Sequence, residues 1–163
     1  MSVKRCFAPV VDAETRILIL GSLPGEVSLA HGQYYAHPQN RFWHLVGEVI
    51  ERDLVGMDYQ ARLATLLEHR IGLWDVVAQA QRVGSLDSNI RNHANNDLVA
   101  LIDTLPSLAT IAFNGGAAAR IGLKALGARA EKYRLLRLPS SSPAHASVSY
   151  AQKLEAWQRL TLV

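Results

Sequence analysis

The sequence predicts an α/β fold: a parallel sheet covered by helices on both faces. Two observations carry this. Short apolar runs alternate along the chain with segments whose apolar residues recur at helical spacing. In addition, all four predicted strands end in polar or glycine-bearing loops, GSLPG, WDVV-AQ, NGG and PSSSPAH in turn. In a parallel sheet these loops gather at the carboxyl edge, where open α/β sheets bind ligands.

Taken in order, residues 1–15 read as an extended lead-in and Arg16 to Leu20 as the first strand. Gly21 to Gln39 reads as one long loop, and long loops in compact domains tend to be functional. A helix is expected from Asn40 to about Arg52, with Phe42, Leu45, Val46 and Val49 on its apolar face. A second runs from Asp58, a suitable N-cap, to Arg70, presenting Leu63, Leu66 and Leu67 inward. Ile71 to Val77 is the second strand, and Ala78 to Asn96 a polar stretch of turn formers without periodicity. Asn95 or Asn96 is expected to cap a helix from Asp97 to Thr104, closed by Pro106. Leu108 to Phe113 is the third strand, Ala117 to Leu126 a small-residue helix, and Tyr133 to Leu138 the fourth strand. A last helix spans about Ser149 to Leu160, with Tyr150, Leu154, Trp157 and Leu160 facing inward. No repeat, linker or low-complexity tract divides the chain, so 1–163 is expected to be one domain, and nothing requires an oligomer, so a monomer is expected.

Composition excludes several classes. No apolar run reaches the ~18 residues of a membrane span, and the N-terminus has no apolar secretory core. A cytoplasmic protein without membrane contact is expected. The single cysteine, Cys6, can form no intrachain disulfide and supplies no cysteine-ligated cluster. The six histidines show no zinc-ligand spacing, so no metal or cofactor is expected. Walker, dinucleotide-binding and nucleophile-elbow patterns are likewise missing. Net charge is +3. The run from Arg120 to Arg137 is almost wholly basic and leads into the serine loop. It reads equally as a solvated face or as a phosphate contact.

The stretch from Ile17 to Trp43 concentrates the candidate chemistry: a strand, a glycine-proline turn, Tyr34 and Tyr35, His37-Pro38, then Asn40 at a helix start. It reads as a backbone cradle with flat stacking surfaces and one aimed amide, or as an ordinary loop with core aromatics. His37 and His145 lie in site loops and are the two histidines with a candidate role. Asn114 can present a donor and an acceptor to a base edge, or cap the helix after Gly115. Ser140, Ser141 and Ser142 suit phosphate gripping better than nucleophilic attack, because no Asp and His stand at triad spacing.

These residues carry a resemblance. GSLPG (21–25), GQYYAHPQNRFW (32–43) and LPSSSPAH (138–145) resemble the motifs of the uracil-DNA glycosylase superfamily, with GLWDV, GSLDSNI and AFNG falling between them in order. Within it, the chain most resembles the hypoxanthine-DNA (DNA-deoxyinosine) glycosylases, and next the mismatch-specific uracil-DNA glycosylases. The resemblance covers nearly the whole chain. It implies a three-layer α/β/α sandwich with a four-stranded, mainly parallel sheet. It also implies a metal-free, monofunctional glycosylase of base-excision repair that flips a deaminated base, hypoxanthine first, out of DNA and releases it by hydrolysis.

By the resemblance, Gly21, Ser22 and Leu23 lie against the flipped base and Tyr35 stacks on it. Asn40 is catalytic, with His37 assisting, and Asn114 reads the base edge. Ser140, Ser141, Ser142, Pro143, Ala144 and His145 hold the DNA. Two departures stand out. Leu23 replaces the water-positioning asparagine of the mismatch-specific branch, which moves that role to Asn40. No large apolar side chain in 142–145 is an evident wedge. Uracil or mismatch excision, a non-catalytic DNA-binding module on the same fold, and a nucleotide-binding protein remain the alternatives.

Overall fold

The structure, a computed structural model, describes residues 3–81, 91–143 and 147–161. Its centre is a sheet of four short strands, β2 (Ile17–Gly21), β3 (Ile71–Asp75), β6 (Thr110–Asn114) and β7 (Arg134–Leu138), in the order β3-β2-β6-β7. All neighbours are parallel.

Alternation along the strands makes the layers. Leu18 and Leu20 of β2 and Ile111 and Phe113 of β6 face one side, packing with residues of α4 (Leu98–Ile102) and α5 (Gly116–Leu126). Ile19, Ala112, Leu73 and Leu136 face the other, against α2 (Phe42–Ile50), α3 (Tyr59–Glu68) and α6 (Tyr150–Trp157). The central strands are apolar on both faces because both are covered. The expected three-layer sandwich is therefore present, and its sheet is wholly parallel.

Local chemistry sets the helix ends. The Asp58 carboxylate accepts the Ala61 N–H at 2.8 Å, as expected of an N-cap. Ser149 and Gln152 form a capping box that starts α6.

Several expectations are corrected. The long loop after β2 contains a short helix, α1 (Glu26–His31), ended by Gly32 in the left-handed region. The second strand stops at Asp75. Val77–Gln81 is a separate strand, β4, pairing antiparallel with β1 (Val3–Arg5) and β5 (Arg91–Asn95) in a second, three-stranded sheet. So the lead-in and the aperiodic polar stretch both hold strands. The cap of α4 is Asp97, whose carboxylate accepts the Ala100 N–H at 3.0 Å. Asn96 instead ties the sheets together, its Nδ2 donating to the Asp75 carbonyl at 2.7 Å. Tyr150 faces outward, donating its hydroxyl to Glu48. No helix among the described residues is long and apolar enough to cross a membrane.

Candidate active site

The loops after β2, β6 and β7 meet, together with Asp75 at the end of β3, around a cavity of about 460 Å³. That volume lies within the ~300–1,000 Å³ typical of small-molecule pockets. Gly21 to Gly25 line one wall, Tyr35, His37 and Asn40 another, and Asp75, Asn114 and Ser140 to Pro143 the rest. The Gly21 and Ser22 carbonyls accept the N–H groups of Val76 and Val77 at 2.8 and 3.0 Å, which locks the turn. Leu23 also lines the cavity, yet its side chain is buried in the apolar cluster with Val76 and Val77. It can shape the wall but orient no water.

Tyr35 sits at φ 53°, in the left-handed region that a bulky residue rarely adopts. Its neighbours hold it there. The Tyr34 N–H donates to the Tyr59 hydroxyl, the Trp43 indole to the Tyr34 carbonyl, and the Ala36 N–H to Ser28 Oγ. Strain kept by such anchoring clusters at functional sites. The Tyr35 ring lies flat on Phe42, centroids 4.0 Å apart and planes 7° off parallel. Phe42 is fully buried and therefore braces the ring from behind. Tyr34 shares the wall. Burial, followed by the charge of Asp75, pushes its phenol well above the ordinary value, so it stays protonated.

Asn40 is fixed by the start of α2 and His37 by the turn that precedes it. Asn40 Oδ1 accepts the Phe42 N–H at 2.9 Å. This orients the amide, leaving one oxygen lone pair and the Nδ2 hydrogens for other partners. The Gln39 N–H donates to His37 Nδ1 at 3.1 Å. Nδ1 is the acceptor there, so that hydrogen bond assigns the ring proton to Nε2.

Asp75 is a site residue that the sequence reading passed over. It ends β3 directly beside Gly21, its register partner, is 3% exposed, and lines the cavity. A Cβ on Gly21 would lie 2.7 Å from Asp75 Oδ1 and 2.8 Å from the Tyr35 hydroxyl, so carboxylate, phenol and turn converge. The available signal was an acid closing an otherwise apolar strand, IGLWD.

Asn114 lines the cavity but is not a helix cap; Gly115, at φ 99°, holds that position. Its amide instead grips the serine loop from both ends. Nδ2 donates to Ser141 Oγ, and Oδ1 accepts the Ser141 N–H, both at 2.9 Å. A side chain on Gly115 would press on Ser140, with Cβ atoms 3.1 Å apart. Ser140, Ser142 and Pro143 join Ser141 at the rim. Ala144 and His145 lie outside the described residues, as does GSLDSNI.

The basic run behaves mainly as a solvated face. Arg120, Lys124, Lys132 and Arg137 are exposed and Arg129 pairs with Asp103, while none of the run lines the cavity. Two other basic residues touch the serine loop, Arg41 through its backbone N–H to the Ser141 carbonyl and Lys153 through Nζ to the Ser142 carbonyl. Among the described residues no group of three His, Cys, Asp or Glu could hold a metal ion.

A cavity with one braced aromatic wall and a buried carboxylate in the same lining, at the carboxyl edge of an α/β/α sandwich, is shaped for a planar heterocycle bearing an N–H. Comparison with known proteins narrows that class. The pattern of the uracil DNA glycosylase superfamily matches residues 8–161. A hypoxanthine DNA glycosylase of Methanosarcina acetivorans is 42% identical over 158 residues, 96% of each chain. A second, from Methanosarcina barkeri, is 47% identical over 112 residues, 69% of this chain and 71% of that one. An NMR structure of a candidate uracil DNA glycosylase from M. acetivorans superimposes with a TM-score of 0.85 at 41% identity, covering 98% of this chain and 99% of the other. The chain belongs to the uracil DNA glycosylase superfamily.

Proposed function

We propose that this protein excises hypoxanthine from DNA by hydrolysing its glycosidic bond, leaving an abasic site. The observation that carries the reading is the pairing of the braced Tyr35 face with the buried Asp75 carboxylate in one cavity. The names of the two relatives support it. A flipped base stacks on Tyr35, since the bond to be broken is out of reach in the duplex. The carboxylate accepts the N1–H that hypoxanthine carries and adenine lacks. Facing adenine it would meet a lone pair, so the contact discriminates the deaminated base from its parent.

In this reading Asn40 holds the attacking water by its remaining lone pair. An amide is a weak base, but a transition state with oxocarbenium character needs a placed water more than a strong one. The water oxygen bonds to C1′ as the C1′–N9 bond breaks, the bonding pair leaves with the base, and the proton that the water sheds ends on that base. His37 Nε2–H is available to that developing negative charge. Asn114 and the serine loop hold the backbone of the DNA. One chain supplies every wall, so a monomer suffices.

Uracil excision is the second reading, because the N3–H of uracil offers the same donor to Asp75 and because of the structural relative. Base release from duplexes carrying one hypoxanthine or one uracil, scored as alkali-labile sites, decides. Hypoxanthine release that collapses in Asn40→Ala and Asp75→Ala supports the proposal. Release of uracil alone moves the substrate. No release of either by folded protein refutes both.

A further inference from the structure

Lys153 projects from α6 toward the serine loop and is only 5% exposed. Its Nζ donates to the Ser142 carbonyl at 3.3 Å, and no carboxylate among the described residues pairs with it. That carbonyl takes one of the ammonium's three donors and leaves two for an incoming acceptor. The charge of Arg41 adds to burial in lowering the lysine's proton affinity. Arg41 also touches the loop, its backbone N–H donating to the Ser141 carbonyl at 3.0 Å. One turn further along α6, the Trp157 indole donates to the Pro139 carbonyl at 2.9 Å.

Three carbonyls of the loop are thus engaged by α6 and the start of α2. Carbonyl oxygens engaged in this way present less partial negative charge to an approaching anion. Two cationic residues adjoin the loop, and the repulsion between them is relieved when an anion binds, the pattern expected of a functional site.

We propose that Lys153 is a DNA-phosphate residue, seating a backbone phosphate at the Ser140–Ser142 loop together with Arg41. This rests on the reading of the chain as a DNA base-excision enzyme. The basic run that looked suited to the task is displaced from it by the fold, and a lysine with no motif around it takes its place.

The test is the salt dependence of binding to a duplex containing a tetrahydrofuran abasic-site analogue, with base release measured alongside. Lys153→Gln keeps a donor for the Ser142 carbonyl and removes the charge. Lys153→Arg keeps both. The slope of log affinity against log salt should become shallower by about 0.9 in Lys153→Gln, the value for one lost phosphate contact, and stay at the wild-type value in Lys153→Arg. The loss in Lys153→Gln should sit in KM more than in kcat. If both variants keep the wild-type slope while wild type binds and excises, Lys153 merely positions the loop and the inference fails alone. If wild type neither binds with salt dependence nor releases a base, the functional reading fails with it.

Discussion

Asn114 and Ser141 form a reciprocal pair, amide donor to hydroxyl and amide acceptor to backbone N–H, both at 2.9 Å and both buried. One side chain at the end of β6 therefore holds the loop that follows β7. Asn114→Ala should remove both bonds and leave a buried N–H unsatisfied, costing about 1–3 kcal/mol of stability. Asn114→Asp should be milder, because the Ser141 hydroxyl can turn to donate to a carboxylate. Chemical denaturation of the three proteins checks the order. Equal stabilities would mean the pair does not hold the loop.

Asn40 has two separable duties. Its Oδ1 accepts the Phe42 N–H, and its remaining capacity faces the cavity. Asn40→Ala should cost about 1 kcal/mol as a lost cap and lower single-turnover base release on the order of 10²-fold. Asn40→Asp keeps an acceptor for Phe42 and should melt near wild type. A melting curve beside a release assay separates the duties. Full activity in Asn40→Ala would remove it from the chemistry.

Gly21 is required by space rather than by backbone conformation. Its missing Cβ leaves room for Asp75 Oδ1 and the Tyr35 hydroxyl, 2.7 and 2.8 Å from where that atom would lie. Gly21→Ala should displace both groups and depress base release strongly while the sheet still forms. Two-dimensional NMR can verify the fold. Undiminished release would show that neither group acts from its present position.

His44 predicts a pH effect on stability. Its Nδ1 is buried and has no hydrogen-bond partner among the described residues. Burial, then Arg41 and Arg62, hold its proton affinity below the ordinary imidazole value, with Glu48 opposing. The folded chain thus binds fewer protons than the unfolded one from about pH 6.5 downward, so stability should fall on acidification there. His44→Gln should flatten the fall in melting temperature between about pH 7 and pH 5. Parallel curves for the two proteins would contradict this.

Read alone, the sequence revealed the four central strands, the helices flanking them and the gathering of loops after three of those strands, because each depends on local alternation or spacing. Strand limits shifted by one or two residues, and Asp58 and the Ser149 start of α6 proved true caps. The second sheet escaped detection for a physical reason. VAQAQ offers only small alanines in alternation and RNHAN is almost wholly polar, while β4, which pairs with β5, takes its other partner from the N-terminal Val3–Arg5, far away in the chain.

The site divides in the same way. Which residue types were present, and that Tyr35, Asn40 and the serines belonged together, was determined by the sequence through its motifs. What each side chain does was decided by tertiary structure, since a partner distant in sequence fixes it. Asn114 anchors the serine loop because Ser141 lies opposite. Asp75 became a wall of the cavity because parallel register sets it beside Gly21. Lys153 lies behind the serine loop because α6 packs there, while the conspicuous basic run faces solvent. Local patterns specify elements; long-range packing specifies which polar groups meet, and that meeting is where the chemistry lies.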